Sequence, residues 1–158
     1  MIFVTVGSQK FQFNRLLEEL DNLVEKKFIT KEIFAQTGHS DYSPKYYKYK
    51  NFLDREEFSR VMESCDVVIT HGGTGAIIGA VKKGKKTIAI PRLKEFQEHV
   101  DDHQLQIVKQ FSDLKFVIGI KDIKDLKDAI NNCENIEIKQ YISNTHTIIN
   151  SIEEFLKK

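Results

Sequence analysis

The sequence predicts a doubly wound α/β fold: a mainly parallel, Rossmann-like sheet with helices on both faces. Three observations lead there. Short runs rich in β-branched residues recur at 2–6, 33–36, 67–70, 87–90 and 116–120, and each is apolar at successive positions, as in a strand buried on both faces. Segments with helical spacing of apolar residues separate these runs, which is the alternation of a parallel sheet. The length, 158 residues, suits one domain and can bury a core without disulfides or metals.

The elements follow in order. The opening run 2–6 has no basic stretch before it and passes straight into Gly7-Ser8, so it reads as a strand and not as a signal peptide. A helix is expected at 14–27, a strand at 33–36 and a loose loop at 41–44. Residues 46–52 alternate aromatics with lysine, which suits a further strand nearer an edge with its lysines in water. Asp54 followed by Glu57 is a capping box that starts a helix at 55–64. The strand 67–70 leads into a helix at 75–83, which Gly84 stops after Lys82-Lys83. Helices are expected at 99–111 and, capped by Asp122, at 123–132. A last helix over about 139–156 carries Ile142, Ile148, Ile149, Ile152, Phe155 and Leu156, and either packs on its own domain or reaches to a partner. With no repeat, low-complexity tract or long linker, residues 1–158 are expected to form a single domain.

Composition narrows the function. Lys+Arg 24 against Asp+Glu 23 gives a net charge of +1, too little for a protein whose main task is to bind nucleic-acid phosphates. Cys65 and Cys133 make neither a metal cluster nor a disulfide framework, and each sits at a helix end as a reduced, structural thiol of the cytosol would. No run approaches the ~20 apolar residues that span a bilayer. The expectation is a soluble, intracellular protein.

Ligands of such folds bind beyond the carboxyl ends of the strands, which selects Gly7-Ser8-Gln9, Gly38-His39, His71 to Gly75, and Pro91 to Gln97. In the stretch 66–75 a buried strand ends in His71-Gly72-Gly73-Thr74-Gly75 and opens a helix. Glycines let the backbone approach an anion, and the helix start supplies free N–H groups and positive dipole. Thr74 can donate a hydroxyl and His71 a ring N–H, so a diphosphate fits; the alternative is a tight turn whose glycines serve packing alone. Gly7-Ser8-Gln9-Lys10 lacks the three spaced glycines of a dinucleotide fingerprint. Gly79 to Lys86 imitates an ATPase phosphate loop, but Lys86 stands where magnesium needs Ser or Thr, and the order is helix–loop–strand.

The stretch 91–104 gathers Arg92, Glu98, His99, Asp101, His103 and Gln104 at the same edge. His99 and His103, four apart on one helical face, have a zinc-binding spacing, yet no third ligand is visible downstream. A polar cluster that hydrogen-bonds sugar hydroxyls, with Arg92 free for negative charge, is the better reading; a capped helix with solvated charges is the alternative.

Together Val4-Thr5-Val6-Gly7-Ser8, His71 to Gly75, and Pro91-Arg92 followed by Glu98-His99-Val100-Asp101-Asp102-His103-Gln104 resemble the donor-binding half of the two-component polysaccharide glycosyltransferases. They are similar also to the catalytic subunit of the dolichol-linked N-acetylglucosaminyltransferase and, more distantly, to the C-terminal domain of the enzyme that makes lipid II. The resemblance runs from Ile2 to about Val108.

It implies the C-terminal half of a GT-B glycosyltransferase, binding a UDP-sugar and transferring the sugar with inversion to a lipid-linked saccharide in capsule or exopolysaccharide synthesis. The partner would be a separate membrane-anchored, acceptor-binding subunit that recruits this cytoplasmic chain to the inner face of the membrane and supplies the catalytic base; no cofactor and no metal are implied. By position, His71, Gly72, Gly73, Thr74 and Gly75 would face the diphosphate. Phe52-Leu53 would meet the uracil, Glu98, His99, His103 and Gln104 the sugar, and Gly7, Ser8 and Arg92 would lie elsewhere in the cleft. Gly79 departs from the pattern, standing where the wider superfamily holds the ribose with a carboxylate. Two other readings stay open: a non-catalytic nucleotide-sugar-binding or regulatory module, and a zinc hydrolase built on His99 and His103. The sequence leaves self-association of the isolated chain open; an apolar interface deprived of its partner would be expected to pair with itself.

Overall fold

The computed structural model describes residues 1–156, the side chain of Ser151 aside. Its sheet has six strands: β1 (Ile2–Thr5), β2 (Ile33–Gln36), β3 (Lys48–Lys50), β4 (Val67–His71), β5 (Lys86–Ile90) and β6 (Ile118–Gly119). They lie in the order β3-β2-β1-β4-β5-β6, and each neighbouring pair is parallel. The helices are α1 (Asn14–Glu25), α2 (Arg55–Ser64), α3 (Thr74–Lys82), α4 (His103–Asp113), α5 (Leu126–Asn132) and α6 (Thr145–Leu156).

Alternate residues of the central strands feed opposite cores, because successive side chains point to opposite faces. Ile2, Val4 and Ile69 pack with Leu16 and Leu20 of α1 and Leu126 of α5. On the other face Phe3 and Val68 meet Met62 of α2 and Ala80 of α3. Further along that face Ala89 meets Ile77 and Val81 of α3 and Val108 of α4. Both faces are covered, which is why the strand sequences are apolar at successive positions.

The expected 46–52 strand is real but short, and it is the edge strand: Lys48, Tyr49 and Lys50 are all exposed. The capping box of α2 is present, with Asp54 accepting from the Glu57 N–H at 2.8 Å. Gly84 (φ +67°) ends α3 in the left-handed conformation that a residue with a side chain avoids.

Three helices start later than the sequence pattern indicates. α5 follows a 3₁₀ turn, Ile123–Asp125, that Asp122 caps. α6 begins at Thr145; before it residues 137–144 have no regular structure, and the Lys139 N–H donates to the Lys115 carbonyl (2.7 Å). α4 begins at His103, not at 99, with consequences for the site.

The chain runs from central β1 outward to β3, then returns to β4 on the other side of β1. Loops leaving β1 and β4 therefore diverge at their carboxyl ends and open a crevice between them, the switch point of a doubly wound sheet.

Candidate functional site

The crevice is an open cavity of about 780 Å³. The loop after β1 (Gly7, Ser8, Lys10) forms one wall and the β4–α3 turn (His71, Gly73, Thr74) another. His99, His103 and Gln104 close it from the β5–α4 side. Among the described residues, no Asp or Glu lines it.

His71 sits at the centre, buried, with its imidazole clamped between two glycines. A Cβ on Gly73 would stand 2.2 Å from His71 Nε2, and one on Gly7 would stand 2.7 Å from Cε1. Gly7 is also left-handed (φ +79°), whereas Gly73 has ordinary extended dihedrals, so space alone demands glycine there. Gly72 answers to a third neighbour: its Cβ would press on Gln104 of α4 at 2.8 Å.

Burial pushes the His71 pKa down to about 4, and the nearby Arg92 charge adds to the effect. The Thr70 hydroxyl spends its proton on the Thr5 carbonyl (2.9 Å), so the Thr70 oxygen facing His71 Nδ1 at 3.4 Å is an acceptor. That geometry assigns the neutral ring's proton to Nδ1 and leaves a lone pair on Nε2. The expected ring N–H toward a phosphate therefore requires a second proton.

The sign for stability follows. Between pH ~6.5 and ~4 the unfolded chain protonates this histidine and the folded one does not. The contribution of His71 is complete above that window and declines as pH falls through it. The unfolding midpoint of the wild type should drop more steeply there than that of His71→Gln; parallel curves would refute the assignment.

The start of α3 is bare. Its N-cap is Gly73 and no side chain caps it, in contrast to α2 with Asp54. The Ile77 N–H reaches the Gly73 carbonyl (3.1 Å), so the N–H groups of Thr74, Gly75 and Ala76 precede the first helical bond and face the cavity walls they form. Lys10 is the lysine on this cavity, and sequence reading overlooked it. The available signal was its place in the loop after the first strand.

Gln104 is buried, and its Oε1 accepts from the Gly72 N–H (3.1 Å) and the Arg92 N–H (3.0 Å). One side chain thus staples the β4 turn to the β5 loop.

Two of the expected cleft residues turn inward. Arg92 is fully buried and donates to the carbonyls of Val6 (2.7 Å) and Phe11 (3.0 Å), with its guanidinium 5.5 Å from the Phe13 ring centroid. It holds the loop after β1 from beneath instead of offering charge to the cavity. Glu98 is also fully buried: its carboxylate takes both Arg15 Nε and Nη2 at 2.9 Å and the Leu93 N–H at 2.9 Å. These partners exclude it from the sugar-facing set. Phe52 and Leu53 lie apart from the cavity, after edge strand β3. Leu53 donates its N–H to Gln36 Oε1 (3.1 Å), while Phe52 is exposed against His39.

Gly75 and Gly79 share the exposed side of α3, and a Cβ on either would meet nothing within 4 Å. Nothing in the packing therefore calls for glycine at 79.

His99 and His103 do not share a helical face. Before α4 the chain makes a 3₁₀ turn, Lys94–Phe96, and Gln97 is left-handed (φ 56°). The turn that follows folds His99 and His103 around Asp101: His99 Nδ1 lies 3.4 Å from Asp101 Oδ1, and His103 Nδ1 hydrogen-bonds the same oxygen.

The chain matches the glycosyltransferase family 28 C-terminal domain over residues 1–158. It is 33% identical over 99 residues to the UDP-N-acetylglucosamine transferase subunit ALG13 of Candida albicans, covering 63% of this chain and 32% of that protein. It is 29% identical over 115 residues to UDP-N-acetylglucosamine–N-acetylmuramyl-(pentapeptide) pyrophosphoryl-undecaprenol N-acetylglucosamine transferase of Prochlorococcus marinus, covering 69% of this chain and 31% of that one. The chain thus spans about a third of either relative. The solution structure of ALG13 superposes with a TM-score of 0.60 at 16% identity, over 96% of this chain and 93% of that one, and so shares the fold.

Proposed function

The chain belongs to the glycosyltransferase family 28 C-terminal domain family, and we propose that it is the donor-binding subunit of an inverting, UDP-sugar-dependent transferase in polysaccharide synthesis. The observation that carries the reading is the uncapped start of α3, opening on a cavity that, among the described residues, no carboxylate lines. Such a pocket favours a compact anion, and a diphosphate satisfies several N–H donors together.

In this reading the acceptor hydroxyl attacks the anomeric carbon, the bond from that carbon to the diphosphate oxygen breaks, and the electron pair leaves with UDP. The N–H groups of Thr74, Gly75 and Ala76, the Thr74 hydroxyl and Lys10 stabilise the departing charge. His71 joins them on taking a proton at Nε2, so binding is linked to proton uptake. Gln104, His99 and His103 face the sugar, and the backbone of Phe52-Leu53 is assigned to the uracil. Gly79 has no side chain to reach the ribose. The acceptor's proton goes to a base on a partner subunit.

Two facts support a partner. The matched ALG13 is itself named a transferase subunit. The α6 helix leaves Ile148, Ile149, Ile152 and Phe155 exposed, an apolar face of the kind an interface covers. Among the described residues no helix is long and apolar enough to cross a membrane. Recruitment from the cytoplasm to a membrane-anchored acceptor subunit would bring the chain to a lipid-linked saccharide.

Titrating UDP-N-acetylglucosamine into the isotope-labelled full chain should shift the amide signals of Thr74, Gly75 and Ala76. Affinity should rise as pH falls toward about 4, where His71 of the free chain takes its own proton and the linkage ends. Lys10→Ala and His71→Ala should each weaken binding by roughly tenfold to a hundredfold, the worth of a charge-assisted hydrogen bond. Nucleotide-induced shifts confined to another part of the chain would overturn the reading. Co-expression with the acceptor subunit should then give sugar transfer to a lipid acceptor; binding without transfer of any UDP-sugar would favour a non-catalytic module.

A further inference from the structure

The turn before α4 brings together donor atoms that a continuous helix would have separated. One ring nitrogen of His99, one of His103 and a carboxylate oxygen of Asp101 all lie within 4.8 Å of one another. On a helix, Asp101 would project about 200° away from His99, given ~100° per residue. In the turn it stands between the two imidazoles instead.

The separation of His99 Nδ1 from Asp101 Oδ1, 3.4 Å, is the spacing of two ligands on one ion with bonds of ~2.0–2.2 Å in tetrahedral geometry. The His99 ring is fixed from behind by Phe11, with centroids 4.4 Å apart, and meets the His103 ring edge-on at 4.6 Å. The neighbouring carboxylates are engaged elsewhere, Asp102 with the Lys94 N–H (2.8 Å) and Glu98 with Arg15, whereas Asp101 accepts from His103, through its backbone N–H (3.1 Å) and its ring, so that an ion would take the place of the ring contact.

We propose that His99, Asp101 and His103 form a binding site for a divalent transition-metal ion, zinc by preference, at the rim of the cavity. Two imidazole nitrogens and one carboxylate oxygen match borderline ions such as Zn²⁺ or Co²⁺ better than Mg²⁺ or Ca²⁺, which favour all-oxygen shells. Three protein ligands leave a fourth position for water or for an oxygen of a cavity ligand. Coordination through Nδ1 keeps the Nε2–H of each imidazole as a donor, so an ion and a sugar can use the same two histidines. The site departs from the metal-free expectation of the sequence and stands or falls independently of the nucleotide reading.

Zn²⁺ alone, titrated calorimetrically into the chelator-treated full chain, should bind one to one. Co²⁺ should give the visible absorption of a tetrahedral nitrogen–oxygen site. Asp101→Asn and His103→Ala, both exposed and outside the core, should each weaken Zn²⁺ binding at least about tenfold, as loss of a ligand or its support does, while His39→Ala and His146→Ala leave it unchanged. Failure of the wild type to bind one Zn²⁺, or undiminished binding by Asp101→Asn and His103→Ala, would overturn the proposal.

Discussion

Gly73→Ala should abolish nucleotide binding while the fold survives. The residue adopts φ −80° and ψ 124°, which alanine accepts without strain, so the new methyl acts through contact alone. That methyl would stand 2.2 Å from His71 Nε2 and 2.9 Å from Cδ2. The imidazole cannot retreat, because Gly7 closes the other side of its slot, where even a methyl group's position lies only 2.7 Å from Cε1. Either the ring leaves the slot or the first turn of α3 recedes, and both separate His71 from the bare N–H groups. Misplacement of about 1 Å in such a constellation costs roughly a hundredfold.

The control lies six residues on. Gly79 is exposed within the same helix and a Cβ there meets nothing within 4 Å. Gly79→Ala should add about 0.5–1 kcal/mol by restricting the unfolded chain and favouring the helix. For a domain of this size each kcal/mol raises the melting temperature by about 2–4 °C. Calorimetric titration of UDP-N-acetylglucosamine and a melting curve on both variants decide the matter. Wild-type affinity in Gly73→Ala would sink the assignment of the diphosphate site.

What was legible in the sequence was whatever depended on near neighbours or on burial from both sides. The central strands stand out because Val4, Val68, Ile69 and Ile88 are all completely buried, and the threonines among them, Thr5, Thr70 and Thr87, are β-branched and buried as well. The capping box of α2 is legible because Asp54 and Glu57 are three residues apart and answer only to each other. The turn 71–75 was legible for the same reason, glycines and helix start being adjacent. Its meeting with the loop after β1 was not, since that depends on β4 returning to the far side of β1.

The misread residues share a cause. Arg92 looks free in the sequence, but the carbonyls that capture it belong to Val6 and Phe11, more than eighty residues earlier. The helical pattern of 99–111 is locally sound, yet it loses its first turn to long-range demands. Glu98 is drawn to Arg15 on α1, Lys94 closes on Asp102, and Gln97 takes a left-handed conformation to allow both. Periodicity counts spacing along one chain segment and carries no information about such partners.

The pair Glu98–Arg15 yields the largest effect expected on stability. Glu98→Ala removes a completely buried carboxylate and takes its oxygens from three donors, Arg15 Nε, Arg15 Nη2 and the Leu93 N–H, each now at 2.9 Å, of which Nη2 keeps the Pro91 carbonyl at 3.2 Å. The Arg15 side chain is only 17% exposed and lies against the Phe96 ring at 4.6 Å, so water cannot fully replace what is lost. Breaking a buried pair on one side costs about 3–5 kcal/mol, a large share of the roughly 5–15 kcal/mol that holds a domain together. Urea denaturation should show the midpoint falling with the slope retained. Arg15→Ala should lose a comparable amount, and the double variant little more than either alone, since the second deletion removes a group already unpaired. A sugar-contacting glutamate would behave otherwise: its removal would weaken binding of the nucleotide sugar and leave the urea midpoint near that of the wild type. That result would return Glu98 to the cavity. Its present place instead makes it the tie between α1 and the loop that carries His99, Asp101 and His103, so the donor atoms at the rim owe their convergence to an ion pair that never touches a ligand.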